Sequence, residues 1–197
     1  MKNIKKYGAL ILTVAIMLIM LTACGETNNE KSNSEQNTTS EQNTTTEQVS
    51  SVVIPDGYTE YEDSTTGLKF AYPSNWINVG TDQIPVFADS TTGTTVNLVT
   101  ESITTGISLS SYVTASKSAV QSAFTIDGTI DEEEVKVNGV DAVKLTYSTT
   151  QSGIDMTLQQ VLMVKGQKAY VITFGSQASA YNDVKDTFAK ILSTVQL

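Results

Sequence analysis

Apolar residues are distributed along this 197-residue chain in three regimes. From Ala9 to Leu21 they run almost unbroken. From Gly25 to about Ser50 they nearly vanish, leaving Asn, Thr, Ser, Glu and Gln with a near-repeat: Ser34-Glu35-Gln36-Asn37-Thr38-Thr39, then Ser40-Glu41-Gln42-Asn43-Thr44-Thr45. From residue 51 to 197 they recur with a period that switches between two and 3.6, as strands and helices require. That last stretch is the length of one domain with one core.

The period of two comes first. Leu68, Phe70 and Tyr72 alternate after the turn Ser64-Thr65-Thr66-Gly67, which follows a short strand near Tyr58–Glu62, so a hairpin is expected. Pro73-Ser74-Asn75-Trp76 ends it. Strands are expected at Ile84–Ala88 and Thr95–Ser102, joined by the turn Asp89–Thr94. The spacing then becomes helical: Leu109, Tyr112, Val113, Ser116, Val120, Ala123 and Phe124 share a stripe, with Ser108 or Ser110 as N-cap.

Four further strands are expected. Thr129–Val137 turns at Asn138-Gly139, the strongest short hairpin signal in the chain. Val143, Leu145 and Tyr147 alternate in the next. A turn near Ser152-Gly153 leads to Met156–Val164, and Lys165-Gly166 leads to Lys168–Gly175. A closing helix carries Tyr181, Val184, Phe188, Ile191, Leu192 and Val195 on one stripe. Successive hairpins make an antiparallel sheet, and the fold class is α+β. Val161 to Val164 are all apolar, which suits a strand covered on both sides. Helices on both faces of the sheet would supply that cover.

The first regime reads as an export signal. Lys2, Lys5 and Lys6 precede an apolar stretch of about 13 residues, short for a spanning helix and right for a signal peptide. It ends at Leu21-Thr22-Ala23-Cys24, which resembles the bacterial lipobox. Residues 1–23 are then a lipoprotein signal peptide, and Cys24 becomes the lipid-bearing first residue. The competing readings are an uncleaved anchor, or a secretory signal with a chance Cys. Two or three acyl chains, at about 0.8 kcal/mol per buried CH₂, anchor stably where one is marginal. The implied location is the extracytoplasmic face of the cell membrane.

Residues 24–50 carry the lipidated Cys and a tether expected to be disordered, because it cannot bury enough surface to offset its ordering entropy. Such a coil reaches roughly 30 Å on average, with a contour of about 90 Å. It spaces the domain from the membrane; a binding tail is the other reading.

Composition narrows the chemistry. The twelve basic residues are all Lys, against 21 acids, and there is no His, no Arg and one Cys. Without His, neither Ser-His-Asp nor Cys-His catalysis is available, nor an imidazole metal site. Without Arg there is no bidentate clamp for phosphate. No glycine-rich phosphate loop occurs. The net charge is −9, and loss of residues 1–23 takes three Lys with it, leaving −12. That charge disfavours nucleic acid as a partner and favours neutral, cationic or apolar contacts.

The residues Gly67 and Leu68-Lys69-Phe70-Ala71-Tyr72-Pro73-Ser74-Asn75-Trp76 resemble the opening of PsbP-like domains. So does the strand Ala169-Tyr170-Val171-Ile172-Thr173-Phe174 followed by a helix near Tyr181. The resemblance runs from Tyr58 to Leu197 and implies the Mog1/PsbP-type α/β/α sandwich. Among relatives so implied, plant PsbP assists the oxygen-evolving complex and Mog1 proteins bind a small GTPase. Metal-binding His residues proposed for some members have no counterpart here.

Few residues stand out as chemistry. In Asp131-Glu132-Glu133-Glu134, neighbours along a strand point to opposite faces, so the four carboxylates do not converge on Ca²⁺. A solvated edge that blocks strand addition explains the run better. Thr114-Ala115-Ser116-Lys117 touches the Ser-x-x-Lys pattern of penicillin-recognising enzymes. However, Thr holds the nucleophile position, the supporting motifs are missing, and Ser116 falls on the core stripe. Tyr72 and Trp76 form a candidate aromatic interaction patch, against the reading that Trp76 caps the sheet's end as core.

No cofactor is expected, and no catalytic or metal residues are assigned. The expected function is a non-enzymatic, membrane-anchored lipoprotein whose domain binds or scaffolds an extracytoplasmic protein. The alternatives are a small-ligand carrier or sensor, and an envelope hydrolase using a carboxylate pair.

Overall fold

The computed structural model describes residues 52–81 and 84–197; the expected leader, Cys24 and the tether lie outside them. In chain order the elements are β1 (Tyr58–Glu62), β2 (Lys69–Pro73), β3 (Ile77–Asn78), β4 (Val86–Ala88), β5 (Thr95–Ser102), α1 (Leu109–Ala123), β6 (Ile126–Val137), β7 (Val140–Gln151), β8 (Ile154–Lys165), β9 (Lys168–Gln177) and α2 (Tyr181–Ser193). The architecture is mostly antiparallel sheet with two helices. Seven strands form one sheet in the order β3-β4-β5-β9-β8-β7-β6, and β1-β2 form a separate two-stranded sheet.

The turn residues set the registers. Asn138 and Gly139 both have positive φ, 47° and 84°. A two-residue turn of that hand matches the twist of the strands it joins, and Asn-Gly tolerates it best. It places Val137 opposite Val140, Glu134 opposite Val143 and Glu132 opposite Leu145. Strand β9 then crosses back to pair β8 on one side and β5 on the other. This crossing buries β5, which local sequence leaves looking peripheral.

Strands β8 and β9 run one or two residues past the expected Met156–Val164 and Lys168–Gly175, and three other differences have local causes. Strand β4 begins at Val86, because Thr81 and Ile84 close a turn on each other and Pro85 has no N–H to give. Strand β6 begins at Ile126, since its register slips between Asp127 and Asp131 and hides the period. Strand β3 has two exposed residues, too few to show any period.

Alternate strand residues enter different apolar clusters. Val161 and Met163 of β8 belong with Ile172 and Phe174 of β9, with Phe188 and Ile191 of α2, and with Phe70 of the hairpin. Leu162, between them, packs with Val143, Val171 and α1 residues Tyr112 and Val113. Val120 of α1 forms a third, smaller cluster with Tyr147 and Leu158.

The hairpin and the C-terminal residues hold each other. Lys69 and Gln196 exchange backbone hydrogen bonds of 3.0 and 2.8 Å. The buried Thr194 hydroxyl accepts from the Ala71 N–H and donates to the Ile191 carbonyl, each at 2.7 Å. No described helix is long and apolar enough to cross a membrane.

Candidate functional site

A cleft of about 390 Å³ opens where the start of α1 meets β6 and β7. Its construction follows from register and alternation. Glu132 and Glu134 sit two apart on β6 and share a face, and Val143 lies opposite Glu134 on β7. Leu109, Ser110 and Val113 of α1 form the facing wall, and Asp141 and Ala142 close the end by the Asn138-Gly139 turn. The cleft therefore has an apolar floor and a rim of three carboxylates.

Two of those carboxylates are paired. Lys117 of α1 reaches Glu132 at 2.8 Å, and Lys136 pairs with Asp141. Glu134 has no ion pair among the described residues and keeps the rim net negative. Glu133, on the opposite face, pairs instead with Lys144 at 2.6 Å. All four acids of the run are exposed on the sheet's edge strand. Among the described residues no three acidic groups are arranged to hold a metal ion.

The other residues singled out by sequence fall elsewhere. Tyr72 is half-buried and stacks on Phe87 with ring centroids 3.9 Å apart. Trp76 is 7% exposed and belongs to the largest core cluster. The apolar side chains that do reach solvent beside them are Ile77 and Val79. Ser116 is buried, with its hydroxyl donating to the Tyr112 carbonyl at 2.9 Å. Thr114, at the nucleophile position of the Ser-x-x-Lys pattern, donates to the Ser110 carbonyl at 3.0 Å, and Lys117 is engaged by Glu132, so no nucleophile–base pair stands behind the resemblance. Cys24 lies outside the described residues.

Sequence reasoning missed Glu101. It is 8% exposed on β5, and its Oε2 accepts from the Tyr112 hydroxyl at 3.0 Å. Oε1 has no partner. Burial pushes the carboxyl above its usual range, partly offset by the Tyr112 hydrogen bond, and burial beside Glu101 raises the Tyr112 phenol too. A charged residue at a strand's end reads as solvent-facing; only the return of β9 beside β5 covers it.

This architecture is that of a PsbP-like domain. The chain belongs to the PsbP-like protein family, which matches it over residues 8–195. Solved structures of similar fold include the cyanobacterial PsbP, CyanoP, of Synechocystis sp. PCC 6803, with TM-score 0.57, 16% identity, and coverage of 72% of this chain and 92% of that one. LpqN of Mycobacterium tuberculosis, described as involved in cell envelope biogenesis, gives TM-score 0.53 and 14% identity over 71% and 89% of the two chains. A Pseudomonas aeruginosa protein of unknown function, described as a putative regulator, gives 0.51 and 14% over 71% and 96%. At such identities these likenesses speak for the fold alone. No curated protein matches the chain.

Proposed function

We propose that this protein is a lipid-anchored extracytoplasmic binding protein, non-enzymatic, whose PsbP-like domain holds a protein partner at the cleft beside α1. The observation that carries the reading is the cleft itself: an apolar floor and a carboxylate rim whose Glu134 has no ion pair among the described residues. Such a site suits an apolar side chain flanked by a Lys or Arg of a partner. The envelope role stated for LpqN supports an envelope setting, and the Leu21-Thr22-Ala23-Cys24 motif supports attachment through Cys24. We read the fold as an α/β/α sandwich, because adjacent residues of β8 pack against different helices.

The size of the cleft favours a second reading, since about 390 Å³ lies within the range of small-ligand pockets. A carrier or sensor would show a thermal shift with one ligand, by about 2.7 kcal/mol at a hundredfold excess over Kd. A partner-binding domain would give none.

The test of the main reading is cross-linking on intact cells followed by capture, for wild type and Glu134→Lys in parallel. Charge reversal at the exposed Glu134 leaves the fold intact and is expected to remove a partner that wild type captures. Equal capture by both forms contradicts the cleft as the contact. Separately, Cys24→Ala is expected to leave the membrane fraction; its retention there contradicts lipid attachment.

A further inference from the structure

We propose that α1 is a detachable cover, which lifts from the sheet as a unit while the strands and α2 stay folded. Four independent features of the structure converge on it.

The first is a polar seam beneath the helix. Asn97, Thr173 and Gln160 lie side by side in register across β5, β9 and β8. They are 4%, 1% and 3% exposed. Among the described residues none of the three side chains has a hydrogen-bond partner. The seam separates the fully buried contacts of α1 into two clusters, bridged by the partly buried Ala119 and Ile130. On one side lie Tyr112 and Val113 with Val143, Leu162 and Val171; on the other lies Val120 with Tyr147 and Leu158. Ser116, also buried on the helix, gives the seam nothing, because its hydroxyl donates to the Tyr112 carbonyl.

The second is a pair of orphaned groups on the same side of the sheet as the seam. Among the described residues Glu101 Oε1, four residues along β5 from Asn97, and the Tyr147 hydroxyl on β7 are buried without partners, as are the Thr100 and Ser176 hydroxyls at strand positions of the other parity. A buried polar group without a partner forfeits the hydrogen bonds that water would give it. Opening returns those bonds, which offsets part of the loss of the Tyr112–Glu101 and Lys117–Glu132 contacts that tie the helix to β5 and β6.

The third is the helix's own weakness. Thr114, Ser116, Ser118 and Ser122 each donate to the carbonyl four residues back. Side chains that bond the backbone in this way weaken and bend helices. Neither end carries a side chain that offsets the helix dipole, with no acid in the first turn and no base in the last.

The fourth is the connections. The loop from residue 104 to Ser108 is exposed, and Gly106 sits at φ 88°, a conformation that only glycine adopts freely. After the helix, the β6–β7 register is interrupted between Asp127 and Asp131. The first junction is free to swing; at the second, Ile126 and Asp127 already pair with Thr149 and Ser148 and the Thr149 hydroxyl donates to the Thr125 carbonyl at 2.8 Å, so α1 would turn about Phe124 and Thr125. Lifting it removes Leu109, Ser110 and Val113, one wall of the cleft, so the site described above exists only while α1 is docked.

Native-state hydrogen exchange on the full-length protein tests this. Amides of α1 are expected to exchange together, at least a hundredfold faster than those of β8 and β9, with a denaturant dependence that is measurable but smaller than that of the strands, while α2 follows the strands. The exposed double substitution Ser118→Ala with Ser122→Ala raises helix propensity without touching the sheet, and should slow α1 exchange by about three- to fivefold. It should leave β8 and β9 unchanged. Filling the seam with Thr173→Val and Gln160→Leu should slow α1 further; the alanine pair decides the matter if that variant misfolds. Exchange of α1 at the rate and denaturant dependence of β8 overturns the proposal. So does an equal slowing of α1 and β9 in the alanine pair.

Discussion

The two helices are similar in length, 15 residues for α1 and 13 for α2, yet they are held in opposite ways. Helix α2 has Asp183 in its first turn and Lys190 in its last, each matched to the helix dipole. Phe188 and Ile191 enter one continuous apolar cluster, and Phe188 lies against Phe174 with centroids 4.7 Å apart. The residues after it are tied to β2 through Thr194 and Gln196, to the β6–β7 turn through Asn138, and to β8 through Lys165. Helix α1 has a side-chain N-cap, Ser108 accepting from the Ser111 N–H at 3.1 Å, which α2 lacks, and it is tied to the sheet through Tyr112–Glu101 and Lys117–Glu132. It rests on two small clusters with a polar seam between them. The cleft borders the loosely held helix, as ligand sites often border the less stable parts of a fold.

Substitutions should widen or erase that contrast, and the largest effect belongs to the α2 side. Phe188→Ala is expected to cost about 3–5 kcal/mol in urea unfolding, against about 1–2 kcal/mol for Val120→Ala under α1. Equal costs would remove the contrast. Thr194→Val leaves the Ala71 N–H buried and unpaired and should cost about 1–3 kcal/mol.

Next in size is a pH effect on the α1 side. The Glu101 carboxyl has its folded pKa raised above its unfolded value, so the native state holds the proton more tightly. Its contribution is full below the unfolded pKa and is lost as pH rises through the folded one. Stability measured across that window should fall with pH in wild type, and Glu101→Gln should flatten the fall. An unchanged slope in the variant would assign it to other groups.

The smallest change is expected for Thr173→Val in the seam, within about 0.5 kcal/mol of wild type or slightly stabilising, because no protein hydrogen bond is lost. A loss as large as that of Thr194→Val would mean that the seam is tied after all.

How much of this could be read from sequence depended on whether its cause was local. The Asn138-Gly139 turn announced the β6–β7 hairpin, and 3.6-residue spacing announced both helices, with the cap of α1 narrowed to Ser108 or Ser110. The alternation of Glu132 and Glu134 was visible as well. That they share a cleft with Asp141 was not, because the third wall is α1, brought in from more than twenty residues earlier in the chain. Glu101 looked peripheral for the same reason: its burial depends on β9, nearly seventy residues downstream. The two-residue β3 was too short for any period to show.

The central functional claim is that partner contact falls on the α1 side of the molecule and not on the α2 side. A photo-reactive residue placed at Ser110, which lines the cleft, and at Ala189, exposed on α2, compares the two directly in intact cells. The account predicts a discrete cross-linked species from position 110 that disappears in combination with Glu134→Lys, and none from position 189. Cross-linking from position 189 alone, or equally from both, would contradict it.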